Sequence, residues 1–239
     1  MPGIRPFTGR KLTVGRVRGV YTPPTGGGGG GGPAFRSISS AGNVVNVVTC
    51  SMPTGVTTGD ILVAQVCETI DNKAGGFGTA PAGWTARQTS AGDGNNQIRT
   101  SIYTKTAGAS ESAFVWTGAA NVYASTVTVM AVSGAASIDV VGVMNNPNDY
   151  SGSYVAPSVT ATGSSSLLIG MWSTTGGPSP SWTAPASMTR RSNFVHAPLN
   201  SWNTSFATQT LSASGATGTR TATNTATAGN KYATLLAVK

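Results

Sequence analysis

Four short segments of this chain return, in the same order, about one hundred residues further on. Asp60-Ile-Leu-Val-Ala64 comes back as Ser166-Leu-Leu-Ile-Gly170, an offset of 106. Thr79-Ala-Pro-Ala-Gly-Trp-Thr-Ala-Arg87 matches Thr183-Ala-Pro-Ala-Ser-Met-Thr-Arg-Arg191, and Ser101-Ile-Tyr-Thr-Lys-Thr106 matches Ser205-Phe-Ala-Thr-Gln-Thr210, both at 104. Ser125-Thr-Val-Thr-Val-Met-Ala-Val132 parallels Tyr232-Ala-Thr-Leu-Leu-Ala-Val238. An ordered repeat of this kind constrains the chain to two similar halves, about 34–135 and 136–239.

Each half reads as short apolar, β-branched segments punctuated by Gly, Pro and Asn, without amphipathic helical periodicity. Strands are expected near 44–51, 61–68, 83–89, 98–105, 112–116 and 124–133 in the first half. In the second they are expected near 153–161, 166–173, 187–194, 202–210, 218–224 and 231–238. Strands this short and closely spaced indicate an all-β fold, an antiparallel β-sandwich of jelly-roll-like form with an internal pseudo-repeat. No linker separates the halves around 134–152, so one sandwich with approximate two-fold symmetry is the economical expectation.

The region before residue 34 is different in kind. Thr22-Pro-Pro-Thr25 leads into seven glycines, Gly26 to Gly32, and then Pro33. Such a tract forms no packed element; residues 23–33 read as a linker, whose seven glycines alone span at most about 25 Å when extended and roughly 15 Å as a coil. Residues 1–22 form an arm in which Leu12, Val14, Arg16, Arg18 and Val20 share one face if the chain is extended. An arm of this length buries nothing alone and would order by adding to another chain's sheet or groove.

Charge follows the same division. Only 9% of residues are charged, against about 25% in an average soluble domain, and the net charge is +8. Residues 1–36 carry six cations (Arg5, Arg10, Lys11, Arg16, Arg18 and Arg36) and no acid, which leaves +2 on residues 37–239. The basicity therefore belongs mainly to the arm. A basic arm can neutralise phosphates or dock on an acidic protein surface. No nucleic-acid recognition motif accompanies it, so protein docking is the favoured reading and nucleic acid the disfavoured one. The partner-binding residues expected on the arm are Arg5, Arg10, Lys11, Leu12, Val14, Arg16, Arg18 and Val20.

Catalytic chemistry finds little support. The one histidine, His196, is expected in a solvated loop before Pro198. Cys50 and Cys67 lack zinc-site spacing. If the segments around the turn 53–60 formed a hairpin, Cys50 would face Val63 rather than Cys67, which favours two buried free thiols. Glu68 and Asp71 are the least implausible carboxylate pair for glycoside hydrolysis, with loop charge as the plainer reading. Asp60 suits an Asx-turn. The Asn145-Asn-Pro-Asn-Asp149 run reads first as a turn, and the glycine run lacks the Lys-Ser/Thr of a phosphate loop. The expectation is a non-enzyme with no cofactor and no bound metal. No apolar stretch approaches a membrane span, and no N-terminal run has the character of an export signal.

Trp84, Trp116 and Trp172 lie in apolar segments and read as packing residues. Trp182 and Trp202 flank Pro-, Ser- and Asn-rich loops. Exposed rings there could stack on sugars, which makes these two the candidates for a glycan site, with packing as the commoner role.

The order Gly59-Asp-Ile-Leu-Val-Ala64, Ala80-Pro-Ala-Gly-Trp-Thr85, the Tyr-containing segment 102–104 and the apolar segment from Val127 to Asp139 resembles a known pattern. It is similar to the β-sandwich minor tail and head-decoration proteins of tailed bacteriophages, over residues 37–239. The echo at 183–191 is also typical of such proteins, and the poly-Gly tether resembles those of phage fibre and tail proteins. The resemblance implies a virion structural accessory protein, made in the bacterial cytoplasm. It would join other virion proteins through residues 1–33 and stand in many copies or as a symmetric homo-oligomer. Adhesion to a host-surface glycan, resting on Trp182 and Trp202, is the alternative reading.

Overall fold

The computed structural model describes residues 31–44, 46–70, 78–91, 98–118, 122–146, 151–176, 181–196, 202–225 and 230–239. The arm residues named above lie outside them. Residues 31–239 form one compact unit.

Among the described residues there are strands and no helix, and every strand pairing is antiparallel. The first half contains β1 (Ala34–Asn43), β2 (Val47–Cys50), β3 (Ile61–Ile70), β4 (Thr85–Ala91), β5 (Ile98–Thr106), β6 (Phe114–Thr117) and β7 (Val122–Ser133). The second begins with β8 (Ile138–Val141), β9 (Ser153–Ala156), β10 (Thr160–Ala161), β11 (Leu167–Thr175), β12 (Trp182–Thr183) and β13 (Thr189–Arg190). It continues with β14 (Phe194–His196), β15 (Trp202–Thr210), β16 (Gly215–Ala216), β17 (Arg220–Asn224) and β18 (Lys231–Val238).

Two large sheets hold the body together. One runs β1-β7-β3-β5-β4, and the other runs β8-β18-β11-β15-β13, with β14 also paired to β15. Against their outer faces lie two small sheets, β2-β6 and β9-β17-β12. A separate bridge joins Thr79 to Thr117, beside β6, where β12 pairs with β17 in the second half.

The all-β, antiparallel body expected is what forms, but it is not limited to the two sheets of one simple sandwich. There are four layers, small-large-large-small, with three cores between them. The first core packs Val48, Phe114 and Trp116 against Ala64, Val66, Tyr103 and Val129. The last packs Tyr154, Trp182 and Ala222 against Leu168, Trp172 and Leu235. The middle core joins the large sheets to each other: Ile61, Val63, Ile102, Met130 and Val132 meet Leu167, Ile169, Met171, Phe206 and Leu236. The cause lies in the strand sequences. Ile61-Leu-Val-Ala64 and Leu235-Leu-Ala-Val238 are continuous apolar runs, so alternate residues supply apolar groups to both faces and both faces must be covered. Each such side chain gains roughly 1.5–3 kcal/mol on burial.

The middle layer changes character along its length. Past the aliphatic part, hydroxyls meet across it: Thr100 Oγ1 lies 3.2 Å from Ser173 Oγ, and Thr128 Oγ1 lies 3.2 Å from Thr204 Oγ1. Beyond these, Trp202 and Tyr232 pack with Cys67 and Ile98. There the Trp202 Nε1–H donates to Thr69 Oγ1 at 2.9 Å, and the Tyr232 hydroxyl donates to the Ile98 carbonyl at 2.7 Å.

These cross-sheet bonds align the two halves end to end. At one end, residues 31–32 approach Gly134 and Ser165, and Ser137 and Lys239 exchange backbone hydrogen bonds. At the other end, β3 stops and β5 starts (Thr69 opposite Ile98), while β11 stops and β15 starts (Thr175 opposite Trp202). Strands β7 and β18 also begin there, opposite Ile70 and Thr174. The chain therefore enters and leaves at one end of the body.

The Cys50–Val63 hairpin is not made either. Strand β2 leaves the large sheet and pairs with β6, Cys50 opposite Phe114, because the segment 51–60 carries the chain from one layer to the next. Both thiols are buried and free.

Candidate functional site

The two edge regions of the middle layer are built from β-bulges. Strand β4 pairs Thr85 with Thr104 and Ala86 with Tyr103, then slips so that Gln88 meets Ile102. Arg87 is the extra residue. In the second half Thr189 and Arg190 pair with Thr208 and Ala207. The amides of both Arg191 and Ser192 then converge on the Phe206 carbonyl, at 2.7 and 3.3 Å. Arg191 is thus the extra residue at the matching place. A bulge bends its strand and re-aims the side chain it carries.

Both arginines are aimed the same way. Arg87 Nε donates to Thr104 Oγ1 at 2.7 Å, and Arg191 Nε donates to Thr208 Oγ1 at 2.8 Å. Each lines a groove where the edge of one large sheet meets the other. The Arg87 groove, about 570 Å³, is walled by Thr85, Thr104, Thr106 and Ser137. The Arg191 groove, about 490 Å³, is walled by Ser187, Thr189, Thr208 and Thr210. Among the described residues no Asp or Glu lines either groove. The Arg191 guanidinium also sits 4.4 Å from the Phe35 ring centroid, a cation–π contact. Burial lowers its pKa, yet an arginine keeps its charge at neutral pH.

The other ionisable groups are occupied with structure. Glu68 is buried, and its Oε1 accepts from Trp116 Nε1 at 2.9 Å. That places it inside the first core rather than in an open cleft; Asp71 lies outside the described residues. Arg36 and Asp60 form an ion pair at 2.7 Å. Asp60 accepts from the Thr57 amide, three residues upstream, instead of closing an Asx-turn. Lys231 is fully buried, with its Nζ 2.8 Å from Ser151 Oγ and 4.9 Å from the Tyr154 ring. Burial pushes Asp139 up, but hydrogen bonds from Thr162, Lys239 and Gly163 outweigh it and hold the carboxyl at about 2.

Two expectations are corrected by these positions. Trp182 and Trp202 are both 0% exposed, so neither offers a ring face to a sugar. Trp182 packs edge-on against Tyr154 at 4.6 Å, and Trp202 fills the middle layer. His196 is not in a solvated loop. It is a half-buried member of β14, pressed against Gly42, and burial lowers its pKa. The arm candidates Arg5, Arg10, Lys11, Leu12, Val14, Arg16, Arg18 and Val20 lie outside the described residues. Arg87 and Arg191 were not picked out as site residues from sequence. The signal was there, since they are matching final residues of the repeated segment 79–87 and 183–191.

Among the described residues no cluster of His, Cys, Asp and Glu could hold a metal ion, and no helix is long and apolar enough to cross a membrane. No family, curated protein or solved structure matches this chain.

Proposed function

We propose that this chain is a structural accessory protein of a bacteriophage particle, a capsid-decoration or minor tail protein, held by residues 1–22 and displaying its body outward. In the finer reading of the fold, the body is two copies of one jelly-roll-like unit joined back to back. The shared strand order of the large sheets and the paired bulges at Arg87 and Arg191 support that duplication.

One observation carries the functional reading. Residues 31–32 and Lys239 sit at one end of the body, while β3 and β11 end, and β5, β7, β15 and β18 begin, at the other. A module tethered through its N-terminal side thus presents the opposite end of both large sheets away from its tether, which is the arrangement display requires. The charge division supports the same reading: a cationic arm suits an acidic docking surface, and a near-neutral body has little to attract it elsewhere.

Deleting residues 1–25 tests this. The truncated chain is expected to keep the full-length melting temperature and yet be missing from purified particles. Incorporation at the full-length level would overturn the reading. Host adhesion through glycan, the second reading, loses Trp182 and Trp202 as stacking platforms and draws instead on the two grooves.

A further inference from the structure

We infer that the Arg87 and Arg191 grooves are a matched pair of binding sites for an acidic sugar, a saccharide bearing a carboxylate. The inference deepens the adhesion reading but stands on the groove geometry, independently of what particle the chain belongs to.

The first ground is what the two arginines leave unused. Each spends its Nε–H on a threonine of the neighbouring strand, which fixes the guanidinium plane. Among the described residues neither has an Nη hydrogen bond. The two Nη groups of a fixed guanidinium form the fork that matches a carboxylate in bidentate fashion. Among the described residues no carboxylate lines either groove, and residues 1–36 contain no Asp or Glu that could reach in.

The second ground is the rest of the lining. Around each arginine stand threonine and serine hydroxyls, each able both to donate and to accept. A carboxylate ringed by hydroxyl partners suits a sugar acid, whose own hydroxyls surround its charged group. The volumes, about 570 and 490 Å³, fall in the range of small-molecule clefts.

The third ground is duplication. The same residue occupies the same bulge and makes the same bond in both halves, although neighbouring groove residues differ: Lys105 in one, Gln209 in the other. Holding an edge strand in place does not require an arginine, since Thr189 and Arg190 already pair with β15 through the backbone. Two weak sites on one body, multiplied over many copies, would give avidity without strong intrinsic affinity.

Titration of the full-length protein with glucuronic acid and N-acetylneuraminic acid, followed by NMR of the arginine Nε–Hε signals, tests the inference. Glucose and a polyglutamate peptide serve as controls. Both acidic sugars, or one of them, are expected to shift the Arg87 and Arg191 signals with Kd in the millimolar range. Glucose should bind at least about tenfold more weakly, a difference of about 1.4 kcal/mol. Arg87→Lys keeps the charge but loses the fork, and should remove one site while leaving the other's Kd unchanged; Arg191→Lys should do the reverse. Equal binding of glucose, binding of polyglutamate alone, or no shift from either acid would overturn the proposal. So would unchanged binding in an Arg87→Lys variant whose melting temperature matches the parent.

Discussion

Replacing Trp202 by alanine separates a buried Trp202 from an exposed one most sharply. The side chain is 0% exposed, its ring lies 6.2 Å from that of Tyr232, and its Nε1–H donates to Thr69 at 2.9 Å. Truncating a buried aromatic to alanine costs about 3–5 kcal/mol, because apolar contact is lost and the cavity only partly collapses. Losing the donor to the Thr69 hydroxyl adds about 1 kcal/mol. For a body of this size each kcal/mol moves Tm by about 2–4 °C, so a fall on the order of 10 °C or more is expected. Urea unfolding followed by circular dichroism would measure the free-energy change. Trp202→Phe keeps a ring and loses only the donor and some volume, and should cost clearly less. Both halves share the middle layer, so the parent protein should unfold in one transition. A change below about 1 kcal/mol for Trp202→Ala, the range of exposed substitutions, would refute this placement of Trp202.

Three further outcomes follow from buried or charged groups. Burial pushes Cys67 up to about 11 and raises Cys50 as well, so a thiol reagent at pH 8 should titrate neither in the native protein and both after denaturation. Trp116→Phe removes a donor from the buried Glu68 carboxylate and should lower stability by about 1–3 kcal/mol in urea unfolding. The folded pKa of Asp139 lies below its ordinary 3.8, at about 2. Its contribution is therefore present above about pH 4 and lost as pH falls toward 2. Asp139→Asn should flatten the Tm-against-pH curve across that window and leave its shape near pH 7 unchanged.

Much of the strand layout was written in the sequence. The expected segments 202–210 and 231–238 coincide with β15 and β18, because long apolar or Thr-rich runs there end abruptly at turn residues. Strand β1 was missed. Its sequence, Ala-Phe-Arg-Ser-Ile-Ser-Ser-Ala-Gly-Asn, is polar and small, which an edge strand tolerates since only one side of it is paired. The four-layer packing was legible in principle: continuous apolar runs in β3 and β18 require cover on both faces. The short connection between the halves at 134–137, with no linker, points the other way. Trp182 and Trp202 misled for a local reason. Pro- and Ser-rich neighbours describe the loop beside a residue, while burial is set by where the following strand lies in its sheet. Pairing between distant segments, such as β2 with β6, left no local trace at all. The arginine bulges sit between these cases, visible as a repeated residue but meaningful only once the strand slip and the groove were in view.

Electron microscopy of intact particles carrying the full-length protein tests the display arrangement most directly. The account predicts density for the four-layer body with residue 31 and Lys239 facing the particle, and the end holding Thr69, Trp202 and Tyr232 facing outward. A body docked through that second end would contradict it.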